Sequence, residues 1–68
     1  MTNLYIRLVI AGSYTLSRVP DKDVVAVAVG VLEKGYDEGK EYATLDDVPE
    51  KYREEVTQRL IEDGYEME

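Results

Sequence analysis

Residues 44–65 read TLDDVPEKYREEVTQRLIEDGY, and the apolar positions recur with a helical period. Tyr52, Val56 and Leu60 stand at i, i+4 and i+8 with Ile61 beside them, while the opposite face is charged. Such a stripe predicts an amphipathic helix over residues 49–63. Glu55 and Arg59 add a favourable i,i+4 pair on its wet side. Residues 15–36 read TLSRVPDKDVVAVAVGVLEKGY, where the polar face has become almost wholly apolar. Shifted by 29, the two stretches share nine identities: Thr15, Leu16, Val19, Pro20, Lys22, Val27, Glu33, Gly35 and Tyr36 match Thr44, Leu45, Val48, Pro49, Lys51, Val56, Glu62, Gly64 and Tyr65. Self-similarity at a fixed offset is the mark of an internal repeat.

Each part of the shared frame has a physical job. Thr15 and Thr44 are suited to N-cap a short helical turn. Asp47 falls at the N3 position after Thr44, as in a capping box. Val19 and Val48 precede proline and are pushed toward extended geometry. Pro20 and Pro49 suit the first position of a new helix, where a missing N–H costs nothing. Asp21, Asp23 and Glu50 favour the positive end of the helix dipole. Gly35 and Gly64 are placed to end the helices in the left-handed conformation. Tyr36 and Tyr65 then fall where a Schellman motif makes an apolar contact back to Val31 and Leu60.

The segment VVAVAVGVL, residues 24–32, is rich in β-branched residues and alternates in places, which taken alone suggests a strand. The start and stop signals that bracket it predict instead a helix over residues 20–34. A helix apolar nearly all round is buried on more than one side. Upstream, Asn3 can cap and Gly12 can stop a short helix over residues 4–11. Leu4, Ile6, Leu8 and Ile10 also alternate, so a strand is the competing reading there. The expected fold is mainly α: one small domain over residues 1–68, with related units at residues 1–36 and 44–68 joined by an acidic linker. The alternative is α+β, with residues 4–11 and 24–32 as strands. In either case the dry unit forms the centre and the wet unit covers one side.

A chain of 68 residues buries only about 60% of its unfolded surface and has a marginal core. It has no Cys and no His, hence no disulfide, no Cys-type zinc site and no imidazole base. Association with a second copy or a larger protein is the remaining source of stability. Leu4, Ile6, Leu8, Val9, Ile10 and the valines of residues 24–31 are too many for one amphipathic helix to cover, which predicts a homodimer through the first unit. Val29, opposite Val24, Val27 and Val31 on the helical wheel, is the expected interface centre, with Val25. Tyr14 and Tyr42 lack a helix-packing role and join them, since tyrosine is enriched at interfaces.

The net charge of −7 is unevenly placed. Residues 1–34 carry four basic and three acidic side chains, while residues 35–68 carry four basic and twelve acidic ones. Direct binding to a phosphate backbone needs clustered Lys and Arg, so no direct nucleic-acid contact is expected. No segment reaches the roughly 20 apolar residues of a membrane span, nor does the N-terminus read as a signal peptide. Asp37, Glu38 and Glu41 do not match an EF-hand spacing and read as a solvated linker. No catalytic constellation is recognisable, so the expectation is a protein without enzymatic activity, metal or cofactor. Asp46, Asp47, Glu50, Glu54, Glu55, Glu62 and Asp63 form a candidate acidic face.

The stretch LYIRLVIAGSYTLSRVP, followed by a segment ending GYD, resembles small uncharacterised proteins of phages and prophages of Gram-positive bacteria, often encoded near tail and lysis genes. Tyr5, Leu8, Gly12, Thr15, Val19 and Pro20 match that pattern of short helix, Gly, Thr-x-x-x-Val-Pro link and amphipathic helix. Thr44, Val48 and Pro49 match its second half again. The resemblance implies a small interaction or assembly accessory protein, in the bacterial cytoplasm or on a virion, and carries no catalytic residues. The second expectation is an acidic inhibitor whose carboxylates occupy a nucleic-acid-binding groove on a host defence protein.

Overall fold

The computed structural model describes residues 2–65. Helix α1 covers Thr2–Ile10, α2 Asp21–Glu38 and α3 Glu50–Glu62, and short 3₁₀ turns at Leu16–Arg18 and Leu45–Asp47 lead into α2 and α3. The fold is mainly α. Among the described residues there is no strand, so residues 4–11 and 24–32 do not pair as a sheet. The valines of α2 are weak helix formers in isolation, but burial against two neighbouring helices outweighs a few tenths of a kcal/mol per residue.

Both long helices are entered through proline. Val19 (φ −71°, ψ 137°) and Val48 (φ −81°, ψ 131°) are extended, as a residue before proline must be. Pro20 (ψ 142°) and Pro49 (ψ 136°) are themselves extended and cap the helices from outside, one position earlier than expected. Their carbonyls accept the first helical bonds, from Asp23 N–H at 2.8 Å and Tyr52 N–H at 2.9 Å. In the second 3₁₀ turn the Thr44 N–H donates to Asp47 Oδ2 at 2.9 Å. Thr15 makes no such cap and pairs its hydroxyl with Ser17 Oγ at 3.1 Å, because position 18 holds arginine where the later turn holds Asp47. Asn3 lies inside α1 rather than ahead of it.

Gly64 (φ 100°) ends α3 as expected, with Gly64 N–H donating to Ile61 O at 3.0 Å and Tyr65 N–H to Leu60 O at 3.1 Å. Gly35 does not end α2. The helix continues to Glu38 and is closed by Gly39 (φ 69°), with Lys40 N–H returning to Gly35 O at 2.8 Å. Gly35 is buried inside the helix because Lys40 folds back over it: a Cβ there would stand 2.6 Å from the Lys40 carbonyl oxygen. Asp37 and Glu38, expected in the linker, are therefore helical, and Glu38 pairs with Lys34 at 3.1 Å.

Helix α2 is the centre, packed on α1 and on α3. Val24, Val27, Ala28, Val31 and Leu32 are buried along it, against Val9, Leu16, Val19, Val48, Val56 and Leu60 from the rest of the chain. At the positions offset by 29, Val24, Ala28 and Leu32 are replaced by Arg53, Thr57 and Ile61, none of them buried. A helix covered on both sides needs apolar residues on both; α3 is covered on one. No helix among the described residues is long and apolar enough to cross a membrane.

Candidate interaction surface

Two of the sequence-predicted interface residues come together and two do not. Tyr14 and Tyr42 line one open groove of about 410 Å³, with Val9, Leu16, Ala43 and Asp47. The groove runs between the end of α1 with its 3₁₀ turn and the segment that leads into the second turn. Tyr14 is held by its own surroundings. Its hydroxyl donates to Arg18 O at 3.2 Å, its ring lies 5.6 Å from that of Tyr5, and the Arg18 guanidinium sits 4.7 Å over it. Tyr42 donates its hydroxyl to the Glu38 carboxylate. That bond raises the Tyr42 phenol and, with Lys34, lowers the Glu38 carboxyl. Both rings are thus oriented before any partner arrives, which reduces the ordering cost of binding.

Val29 is 6% exposed and belongs to the core. The area argument that made it an interface centre counted α1 among the surfaces needing cover, whereas α1 itself covers α2. Val25 is half-buried against the same core. The large apolar side chains left most exposed are Leu4 (44%), Tyr36 (44%) and Ile61 (46%).

Asp46, Asp47, Glu50, Glu54, Glu55, Glu62 and Asp63 are all exposed. The ion pairs among the described residues, Lys34–Glu38 and Lys51–Asp21, involve none of them. Helical spacing puts Glu50, Glu54, Glu55 and Glu62 on the side of α3 away from Val56 and Leu60. Asp47 reaches the tyrosine groove, so the acidic surface and the groove meet at one residue. Among the described residues no group of three or more acidic side chains could hold a metal ion.

Two features escaped the sequence reading. Arg53 is part-buried and ties α3 to the turn before it, donating from Nε to Leu45 O at 2.9 Å and from Nη2 to Val48 O at 3.0 Å. Glu33 is half-buried with its Oε2 shut off from solvent and without a hydrogen-bond partner. Burial, then the Asp63 and Asp37 carboxyls, push it up to about 7, against the pull of Arg59. The 29-residue offset hinted at the first, since an arginine replaces a buried valine. Only the packing of α3 on α2 puts the Asp63 charge close enough to act on Glu33.

Fold and surface together define a three-helix domain with a preformed aromatic groove beside an acidic helix. No family model, curated protein or solved structure matches the chain.

Proposed function

We propose that this chain is a non-enzymatic interaction protein that docks a protruding basic segment of a larger protein into the Tyr14–Tyr42 groove. The observation that carries this reading is the convergence of Tyr14, Tyr42 and Asp47 on one groove at the edge of the acidic surface. Oriented tyrosines supply apolar area with polar tips, the side chains enriched at the centres of interfaces. The −8 balance of residues 35–68, with twelve acidic against four basic side chains, steers a basic partner toward them. The resemblance to phage and prophage proteins makes a virion assembly component or a bacterial host protein the natural partner. In this reading the protein needs no metal or cofactor and meets neither nucleic acid nor membrane directly.

The exposed carboxylates of α3 favour a second reading, an acidic inhibitor that fills a nucleic-acid-binding groove on a host defence protein. Self-association through the first unit has the exposed Leu4 on α1 and Tyr36 on α2 as its remaining support.

One set of measurements separates the three. Sedimentation at micromolar concentration tests for a second copy. Chemical-shift mapping with a short Lys/Leu peptide then locates the contact. Shifts centred on Tyr14, Thr15, Tyr42 and Asp47, abolished in Tyr14→Ala/Tyr42→Ala, support the groove. Shifts spread along Glu50, Glu54 and Glu55, unaffected by that double variant and lost steeply with salt, support the acidic inhibitor. A dimer that masks Leu4 overturns both.

A further inference from the structure

A second open groove, of about 560 Å³, lies beside the docking groove. Leu32, Tyr36, Glu41 and Leu45 line it, and Ala43 lines both grooves, so they share one wall. The two are built alike. Tyr14 in the first rests its ring 5.6 Å from that of Tyr5, and Tyr36 in the second rests its ring 5.5 Å from that of Tyr65. Tyr65 is fixed in turn by its hydroxyl, which donates to Asp37 Oδ1 at 2.7 Å. Tyr36 is nevertheless 44% exposed, while Leu32 beside it in the groove is buried. An oriented aromatic ring left half in water is the kind of side chain that anchors an interface.

Charge decides what the second groove receives. It opens at the C-terminal end of α2, the negative pole of that helix. The last turn of α2 holds Asp37 and Glu38 and no basic residue. Lys34 answers Glu38, and Lys40 and Glu41 in the groove wall cancel. In the first groove Arg18 is already seated over the Tyr14 ring. Asp47 there uses Oδ2 on the Thr44 cap, and its Oδ1 accepts no hydrogen bond among the described residues. A segment crossing from one groove to the other thus meets Glu41 on one side of Ala43 and Asp47 on the other. Grooves of this size that share a wall have centres roughly 10 Å apart, the span of three extended residues at about 3.3 Å each. We infer that one partner segment straddles Ala43 with an apolar anchor in each groove, the anchors three residues apart and the residues between them basic. The inference rests on docking at the Tyr14–Tyr42 groove and adds the second anchor site. A single anchor in a small open groove binds weakly, whereas a joined second anchor is held at high effective concentration by the first.

Two synthetic peptides of one composition and charge test the inference by NMR titration. Lys-Leu-Lys-Lys-Leu-Lys has its leucines three residues apart, and Lys-Lys-Leu-Leu-Lys-Lys has them adjacent. The spaced peptide should bind about tenfold tighter or more, the effect of one further buried leucine, and should saturate at one peptide per chain. It should shift the amides of Tyr36 and Leu45 together with those of Tyr14 and Tyr42. Tyr36→Ala should abolish the difference between the peptides; should that variant fail to fold, the affinities and shifts of the wild type decide. Equal affinities, with shifts confined to Tyr14, Tyr42 and Asp47 for both peptides, overturn the straddling segment and leave docking at the first groove standing. No shift at Tyr14 or Tyr42 with either peptide overturns the docking reading and this inference with it. A dimer in sedimentation that Tyr36→Ala dissociates gives the second groove to a second copy and overturns the inference as well.

Discussion

Gly35→Ala sets two effects of opposite sign against each other. In the interior of a helix, alanine is favoured over glycine by about 1 kcal/mol, and Gly35 lies well inside α2. On propensity alone the variant gains stability. The new Cβ, however, would stand 2.6 Å from the Lys40 carbonyl oxygen and 3.7 Å from the Tyr42 ring. Lys40 cannot retreat freely, since its N–H closes the end of α2 on Gly35 O at 2.8 Å. Overpacking a rigid site costs about 1–3 kcal/mol, and a stretched closing bond adds about 1 kcal/mol. The expected net loss is about 1–3 kcal/mol. With a urea slope of about 1 kcal/mol per molar for a chain of this size, the midpoint should drop by roughly 1–3 M. Gly30→Ala is the matched control. It has the same propensity gain, but its Cβ would collide only with the end of the half-buried Ile6 side chain, which can change rotamer. That variant should lie between neutral and about 1 kcal/mol more stable. Equal midpoints for the two variants, or a Gly35→Ala protein at least as stable as wild type, would refute the reasoning.

Val29→Asp should unfold the chain rather than only disturb association, because a 6% exposed position cannot hold an unpaired carboxylate; a folded monomer by circular dichroism and light scattering contradicts this. Arg53→Met keeps the aliphatic stem but removes donors to the Leu45 and Val48 carbonyls. It should cost about 1–3 kcal/mol in urea unfolding, and an unchanged midpoint would show that water replaces the guanidinium freely. Glu33, raised from 4.5 to about 7, binds its proton more tightly in the folded chain. Its contribution to stability is full below pH 4.5 and is lost as pH rises through about 7. Partial exposure reduces that contribution to about 1–2 kcal/mol. Thermal unfolding should show it as a falling midpoint between pH 5 and 8, and a midpoint flat or rising over that window sinks the assignment.

The amphipathic third helix, the proline entries and two of the glycine stops were legible along the chain because they rest on contacts within a few residues. Proline restricts Val19 and Val48 whatever the rest of the molecule does. Gly64 ends α3 with its own N–H on Ile61 O, three residues back, and the next N–H, of Tyr65, on Leu60 O, five residues back. The apolar excess of residues 24–32 also located the central helix, since no other position in a small domain accepts a helix that is dry on both sides.

Gly35 shows where local reading ends. Its sequence context matches that of Gly64, yet one closes a helix and the other lies buried inside one. The difference is that Lys40 and Tyr42 return over Gly35, and no local signal records a returning segment. Val29 was misplaced for a related reason. The count of apolar side chains was sound, but whether α1 adds to the surface needing cover or supplies the cover depends on where α1 packs. The meeting of Tyr65 with Asp37, of Tyr14 with Tyr42, and of Asp47 with that groove are likewise decided by helix packing. The sequence by itself determined the proline entries, the amphipathic third helix and the central place of residues 24–32, because capping, proline geometry and periodicity act over one or two turns. Only the tertiary structure decided which polar groups share a corner, because that depends on how helices far apart in the chain cross and on which side of each faces the other.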